Sequence, residues 1–191
     1  MTHVALFKHR NLFLKGLEQI YSLFQFQEEA KIFFGSVLIV QNSTTLIDGI
    51  SGTGKTELVH LLAKVFFSRE NPEEMDFAHV SCTQDLTPLD VLYYIDLPKL
   101  MKGIELVVPR PIITVRFKSF SEIKRASTSL LNSLLPLLSE RFALYRDQKF
   151  PSPDFVCILD ANPHDSGSTT IPTAFSDRID YSFQMPTVPP Q

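Results

Sequence analysis

One glycine-rich stretch constrains the fold of this chain more than any other part of the sequence: IDGISGTGKTEL, residues 47–58. The stretch matches the pattern G-x-x-x-x-G-K-[ST] at all of its fixed positions, which are Gly49, Gly54, Lys55 and Thr56. Glycines let the backbone adopt positive φ angles and approach a ligand closely, so that successive N–H groups point at an anion. A lysine and a hydroxyl at the end of such a loop can reach the outer phosphates and a magnesium ion. The stretch therefore predicts a phosphate-binding loop.

The segments on either side of the loop have the order that this motif requires. Residues 43–48, STTLID, predict a short strand, and residues 55–67, KTELVHLLAKVFF, predict an amphipathic helix. Apolar side chains recur along one face of that helix at spacings of three and four. A phosphate held by the loop would then lie at a helix N-terminus. The predicted ligand contacts are Gly49, Ile50, Ser51, Gly52, Thr53, Gly54, Lys55, Thr56 and Glu57.

Strands and helices alternate along the rest of the chain. Two helices are predicted within residues 11–40, ahead of the first strand. Further strands are predicted at 77–82, in two runs within 104–117, at 155–159 and at 181–185, and further helices at 87–100, at 126–142 and around 173–178. The chain has 191 residues, of which 44% are apolar, which is enough for one domain with a substantial core. The pattern predicts an α/β fold with a mainly parallel sheet.

The composition argues against several classes of function. The net charge of −3, from 18 basic and 21 acidic residues mixed along the chain, gives no reason to expect a nucleic-acid partner. The two cysteines, Cys82 and Cys157, lie in apolar stretches without metal-ligand spacing, and we predict that both are buried thiols. The five histidines are scattered, so no zinc site is expected.

No segment predicts insertion into a membrane. The apolar run at residues 33–40, FFGSVLIV, is too short to span a bilayer. The first residues are interrupted early by KHR and lack the arrangement of a cleavable signal peptide. We therefore expect a cytoplasmic protein.

A bound phosphate is cleaved only if further groups are present: a carboxylate for the magnesium shell, a base for the attacking water and a cation for the transition-state charge. Two segments compete for the acidic role. In FKSFSEIKRAS, residues 117–127, Glu122 follows a predicted strand. In FVCILDANP, residues 155–163, an uninterrupted apolar run ends in Asp160, as in a generic Walker B strand. Arg116 and Lys118 interrupt the first strand, although a central parallel strand should be apolar throughout.

Four segments, taken in order, resemble the MoxR-type branch of the AAA+ ATPases, close to the dynein-related group. They are GISGTGKTEL, SEIKRAS at the start of a long helix, SERFALYRDQKFPSPDFVCILDANP, and IPTAFSDRIDYSF. The resemblance covers residues 28–186 and implies a three-layer α/β AAA+ core. Residues 1–27 would then be a helical extension and residues 187–191 a proline-rich tail. The resemblance also implies a small helical lid after the core, which we expect to be absent because the sequence stops where that lid would begin.

The resemblance implies roles for single residues. In that family a strand ends in Asp-Glu and Ile-Asn-Arg-Ala follows, whereas this chain has SEIKRA at the same place. Glu122 then matches the catalytic glutamate, and Ser121 occupies the position of the aspartate that supports magnesium. Asn162 matches the sensor asparagine that positions the attacking water. Arg178 matches the arginine that is offered to the γ-phosphate of a neighbouring subunit.

Each of these assignments has a simpler alternative. Glu122 would be only an acid in the first turn of a helix, and Asn162 only a turn former. Arg178 would be only a surface arginine paired with Asp177 or Asp180.

Two functions follow as expectations. In the first, the chain binds and hydrolyses ATP within a homo- or hetero-oligomeric ring and acts on protein clients as a remodelling chaperone. In the second, it is a structural or regulatory subunit that holds ATP and hardly hydrolyses it, which Ser121 and the absent lid favour. A phosphate-loop kinase would need an acceptor-binding lid and arginines that the sequence does not show. The expected cofactors are ATP and Mg²⁺, with Thr56 and Ser121 at the metal and Asp160 as the alternative carboxylate.

Overall fold

The computed structural model describes residues 3–23, 28–40, 42–67, 76–163 and 170–185. The strands in chain order are β1 (Ser43–Asp48), β2 (Phe77–Ser81), β3 (Tyr93–Ile95), β4 (Val107–Pro109), β5 (Phe117–Ser121), β6 (Phe142–Tyr145), β7 (Gln148–Pro151), β8 (Val156–Ala161) and β9 (Tyr181–Gln184). The helices are α1 (His3–Leu23), α2 (Glu28–Ile39), α3 (Lys55–Phe66), α4 (Pro88–Val91), α5 (Leu97–Leu100), α6 (Pro111–Thr114), α7 (Thr128–Glu140) and α8 (Thr173–Ser176), and a 3-10 turn covers Ile123–Arg125.

Five of these strands form a parallel sheet in the order β2-β5-β8-β1-β9. The strand that enters the glycine-rich loop, β1, pairs with β8 on one side and β9 on the other, and β5 lies beyond β8. Because all five strands run in one direction, their carboxyl ends meet at a single edge of the sheet. The predicted α/β fold with a mainly parallel sheet is confirmed.

Helices cover both faces of this sheet, which gives the three-layer α/β arrangement expected from the sequence. Successive side chains of a strand point to opposite faces, so each strand contributes to two separate apolar clusters. The cluster on the α3 face includes Ile20, Ile47, Leu58, Leu62, Phe117 and Ile158. The cluster on the α7 face includes Phe120, Leu130, Leu134, Leu137, Cys157 and Leu159.

Several predicted segments differ from the observed ones. The helix expected over residues 87–100 has the predicted cap at Thr87, but it ends at Val91 because β3 and β4 then pair as an antiparallel hairpin. That pairing is a long-range contact, which local propensity does not reveal. The second β-rich run within 104–117 contains α6, whose first residue is Pro111, a favoured position for proline. The hairpin β6–β7 was not predicted, and α1 begins at His3 rather than near residue 11.

The two basic residues that interrupt the β5 region are both accommodated. Arg116 lies before the strand, with its side chain 62% exposed, and its Nε donates to the Asp76 carboxylate at 2.5 Å. Lys118 is fully buried, and its Nζ donates to the carbonyls of Ile113 at 3.0 Å and Val115 at 2.6 Å. The same ammonium lies 4.9 Å from the centre of the Phe155 ring. β5 is therefore a buried central strand although it contains Lys118, so the basic residues in this region do not argue against a central position.

The buried Lys118 predicts an increase in stability at alkaline pH. Burial lowers the pKa of Lys118 to about 8, so the unfolded chain binds more protons than the native protein above that pH. Relative to Lys118→Met, we expect the free energy of unfolding of the wild type to rise by roughly 2 kcal/mol between about pH 7.5 and about pH 9.5. Urea denaturation at both pH values measures this, with the exposed Lys102→Met as the control. Equal pH slopes for wild type and Lys118→Met would contradict the assignment.

Both cysteines are buried and unpaired, as predicted. Burial raises the pKa of Cys82 and of Cys157 to about 12, so both stay protonated thiols at neutral pH. None of the described helices is both long and apolar enough to cross a bilayer. The division of the chain at residues 27 and 28 stays a prediction, and the proposed tail at 187–191 lies outside the described residues.

Candidate nucleotide-binding site

The glycine-rich loop connects β1 to α3 in a conformation that depends on its glycines. Gly54 precedes α3 with φ of 81° and ψ of 14°, the left-handed region that side chains disfavour. At Gly49, an added Cβ would lie 2.8 Å from Cβ of Met185 and 3.3 Å from the Thr53 hydroxyl. Gly49 is therefore needed because the backbone is packed closely there, and Gly54 is needed because the chain adopts a left-handed conformation before α3.

Lys55 is the centre of the loop. The residue is only 7% exposed, and its Nζ donates to the carbonyl oxygens of Gly49 at 2.6 Å and Ile50 at 3.0 Å. The loop therefore wraps around the ammonium group. Thr56 and Glu57 follow in the first turn of α3 and are exposed, so the Thr56 hydroxyl is open to a ligand from solvent.

The loop and the predicted acidic segment lie at the same edge of the sheet, where β1, β5 and β8 end. The backbone N–H of Gly49 donates to the Ala161 carbonyl at 3.1 Å, which joins the loop to the end of β8. A salt bridge of 3.0 Å connects Lys124 Nζ to Asp48 Oδ1, directly before the loop. The segment that carries Glu122 is thereby attached to the strand that leads into the loop.

Glu122 follows the last residue of β5 and has an unusual backbone conformation, with φ of 52° and ψ of 45°. A residue other than glycine costs of order 1–3 kcal/mol in this region, and such strain is concentrated at functional sites. The structure does not place Glu122 in the first turn of α7. That helix begins at Thr128, and the Ser127 hydroxyl caps it by accepting from the Leu130 N–H at 3.2 Å.

Ser121 ends β5 and is buried on the α3 face of the sheet. Its hydroxyl is 3.3 Å from Nε2 of His79 on β2, and Nδ1 of the same ring is 3.2 Å from the Ser119 hydroxyl. Burial, together with the neighbouring charge of His60, lowers the pKa of His79, which favours the neutral ring. His79 could not be identified from the sequence, because only the pairing of β2 with β5 brings it beside Ser121.

Asp160 lies near the end of β8 and is 2% exposed. Its Oδ1 accepts a hydrogen bond of 3.2 Å from the Glu122 N–H, while its buried Oδ2 has no hydrogen-bond partner among the residues that the structure describes. Burial raises the pKa of Asp160, and the Glu122 N–H and the Lys55 charge oppose that effect in part. The two acidic segments that compete in the sequence therefore meet at one point in the structure.

The remaining predicted residues lie further along the chain. Asn162 follows the end of β8 and is partly buried. Arg178 is exposed after α8 and forms no salt bridge with the part of the chain that the structure describes. Asp180, one of its two suggested partners, instead accepts from the Thr44 N–H at 2.7 Å. The structure therefore does not support the simpler interpretation of Arg178 as half of a surface ion pair.

The loop, the order of the parallel strands and the acidic strand end define the core of a phosphate-loop NTPase of the AAA+ class. The profile of the family described as AAA domain (dynein-related subfamily) matches residues 44–179. This match covers more than half of the sequence, and the chain belongs to the dynein-related subfamily of AAA domains.

A solved structure supports the fold. The crystal structure at 2.00 Å resolution of a candidate ATPase from Cytophaga hutchinsonii ATCC 33406 is similar to this chain, with a TM-score of 0.65 and 20% sequence identity. The similarity covers 96% of this chain but only 56% of that protein, so this chain spans little more than half of its length. No curated protein matches the sequence.

Proposed function

We propose that this chain binds ATP and Mg²⁺ at residues 49–57 and hydrolyses ATP as a subunit of an oligomeric, MoxR-type machine that remodels protein partners. The observation that carries the proposal is the meeting of the loop and the acidic strand ends at one edge of the sheet. There, Asp160 accepts from the Glu122 N–H and lies within the electrostatic influence of Lys55. A phosphate held by the loop would be next to a carboxylate that can act on water. A cytoplasmic location is part of the same proposal.

The oxygen donors at this edge suit a magnesium ion. Thr56 and Ser121 present hydroxyls, and the buried Oδ2 of Asp160 has no hydrogen-bond partner within the described ranges of the chain, so a hard cation with its waters fits the available groups. When bound, the ion would neutralise charge on the phosphate oxygens.

The chain's own side chains divide the remaining work. Lys55, released from the Gly49 and Ile50 carbonyls, would bind the β- and γ-phosphates. Glu122 is partly exposed at the strand end and would take a proton from the attacking water, which Asn162 would orient. Arg178, exposed and without a salt bridge to the described residues, would stabilise the transition-state charge in a neighbouring subunit.

An apolar tip supports the role of a protein partner. The segment between β3 and β4 presents Leu97 at 65% exposure, Met101 at 90% and Ile104 at 57%. Large apolar side chains clustered on an exposed loop are typical of surfaces that contact other proteins.

Subunit complementation tests the proposal. Arg178→Ala and Glu122→Gln should each be nearly inactive alone, because each lacks one group of the composite site. In a one-to-one mixture, a site with its own Glu122 and a neighbour's Arg178 forms by chance in about a quarter of cases, so about a quarter of the wild-type ATPase rate should return. A mixture no more active than its components would contradict a site shared between subunits.

A second function is favoured by one observation. Position 121 has a serine hydroxyl, held by His79, where the family resemblance expects a carboxylate. A neutral hydroxyl orients magnesium-bound water more weakly than a carboxylate does, so a subunit that holds ATP with little hydrolysis is the alternative. In that case the wild type would bind ATP without measurable turnover at any protein concentration.

A further inference from the structure

A carboxylate lies on the strand adjacent to position 121, where the family resemblance expects one. In the pairing of β5 with β8, Ser119 is opposite Ile158 and Phe120 is opposite Leu159, so the next two residues, Ser121 and Asp160, are neighbours. Phe117 and Ile158 belong to the apolar cluster on the α3 face. Side chains alternate along a strand, so Ser121 and Asp160 both point to that face, towards the helix that begins at the loop.

Asp160 is also nearer to the loop than Ser121 is. It pairs with Ile47 of β1, the strand that leads directly into the loop, whereas Ser121 lies one strand further away. Neighbouring strands are about 4.8 Å apart, a distance that a water molecule in a metal shell can span. A carboxylate at position 160 therefore places the negative charge one strand nearer to β1 than a carboxylate at position 121 would.

The Asp160 carboxylate can accept a further hydrogen bond or bind a ligand. One oxygen accepts from the Glu122 N–H, but the other is buried without a hydrogen-bond partner in the part of the chain that the structure describes. Buried polar atoms are nearly always hydrogen-bonded, so an unpaired carboxylate oxygen at a ligand site indicates a partner that arrives from solvent.

Resting on the proposed function, we infer that Asp160 is the carboxylate that orients the magnesium-bound waters, and that Ser121, held by His79, occupies the vacated position without carrying that role. The two magnesium sites that the sequence presents as alternatives are then one site, in which the carboxylate is on β8 and not on β5.

The test measures the ATP dissociation constant by titration calorimetry in excess EDTA and in excess Mg²⁺. The ratio of the two constants is the magnesium coupling. Asp160→Asn should reduce this coupling by roughly 10- to 100-fold, the usual effect of losing a partner of a metal's ligands. Affinity in EDTA should stay the same or improve, since a negative charge near the phosphates is removed. Asp147→Asn, on an exposed turn, is the matched control and should leave both constants unchanged.

Two variants at position 121 complete the experiment. Ser121→Asp combined with Asp160→Asn should restore the coupling, because the charge returns to the neighbouring strand. Ser121→Asp alone should leave the coupling within a few-fold of wild type. If the thermal midpoint shows that Asp160→Asn is unfolded, this single variant still tests the inference. A tenfold gain in that single variant, or an unchanged coupling in folded Asp160→Asn, would overturn the inference while ATP binding and the proposed function stand. Absence of ATP binding by the wild type in both buffers would overturn both.

Discussion

Lys55→Ala is expected to weaken ATP binding by roughly 10- to 100-fold, because hydrogen bonds to a charged group contribute about 1.5–3 kcal/mol each. The loop is built around this ammonium, which is 7% exposed and donates to the carbonyls of Gly49 and Ile50. Truncation removes the cation that would bind the phosphates and also leaves those carbonyls without their donor. Titration calorimetry of ATP into the wild type and the variant measures the change.

Lys64→Ala is the matched control for this experiment. Lys64 belongs to the same helix, α3, but it is exposed near the opposite end, so its removal changes the net charge equally without touching the loop. We expect its ATP affinity to equal that of the wild type. If Lys55→Ala bound ATP as tightly as Lys64→Ala, the assignment of the loop as a phosphate site would be wrong.

Glu122→Gln is expected to reduce ATP turnover by roughly 100-fold or more while ATP affinity changes little, since a positioned general base contributes about 10²- to 10⁴-fold to a rate. The amide keeps the size of the side chain and leaves the backbone N–H that donates to Asp160. It cannot accept a proton from water at neutral pH. The turnover measurement uses high protein concentration, because the proposed site is completed by Arg178 of a neighbouring subunit.

Glu140→Gln provides the comparison for Glu122→Gln. Glu140 is exposed at the last turn of α7, away from the carboxyl edge of the sheet, and its substitution should leave turnover unchanged. Equal turnover rates for the two glutamine variants would contradict the role of Glu122 as general base and would indicate only a structural role at the strand end. Loss of ATP binding in Glu122→Gln, with the fold intact, would instead show that its charge supports the bound nucleotide.

Much of the architecture could be predicted because local patterns reflect local physics. The loop at residues 49–56 has the residue types that a phosphate requires, and the strand and helix beside it were predicted at nearly their observed bounds. The uninterrupted apolar run of β8 correctly indicated a buried parallel strand. The sequence also placed Glu122 correctly at the end of a strand.

The elements that escaped prediction depend on contacts distant in sequence. The β3–β4 hairpin replaced most of an expected helix, and β6–β7 carried no strong alternation of its own. In the sequence, Lys118 indicated that β5 is not a central strand, because charged residues are rare in central parallel strands. Its burial is possible only because the Ile113 and Val115 carbonyls and the Phe155 ring converge on the ammonium.

The sequence by itself determined the kind of chemistry: a glycine-rich loop, a lysine, a threonine and two candidate acids, each identified by its residue type and its position at a strand end. The tertiary structure alone decided how those groups combine. Ser121 and Asp160 are distant in the chain, and they become neighbours only because β8 inserts between β1 and β5. Residue patterns along one segment report its own propensity and burial, whereas the neighbours of a strand are chosen by the packing of the whole sheet. His79 lies beside Ser121 for the same reason.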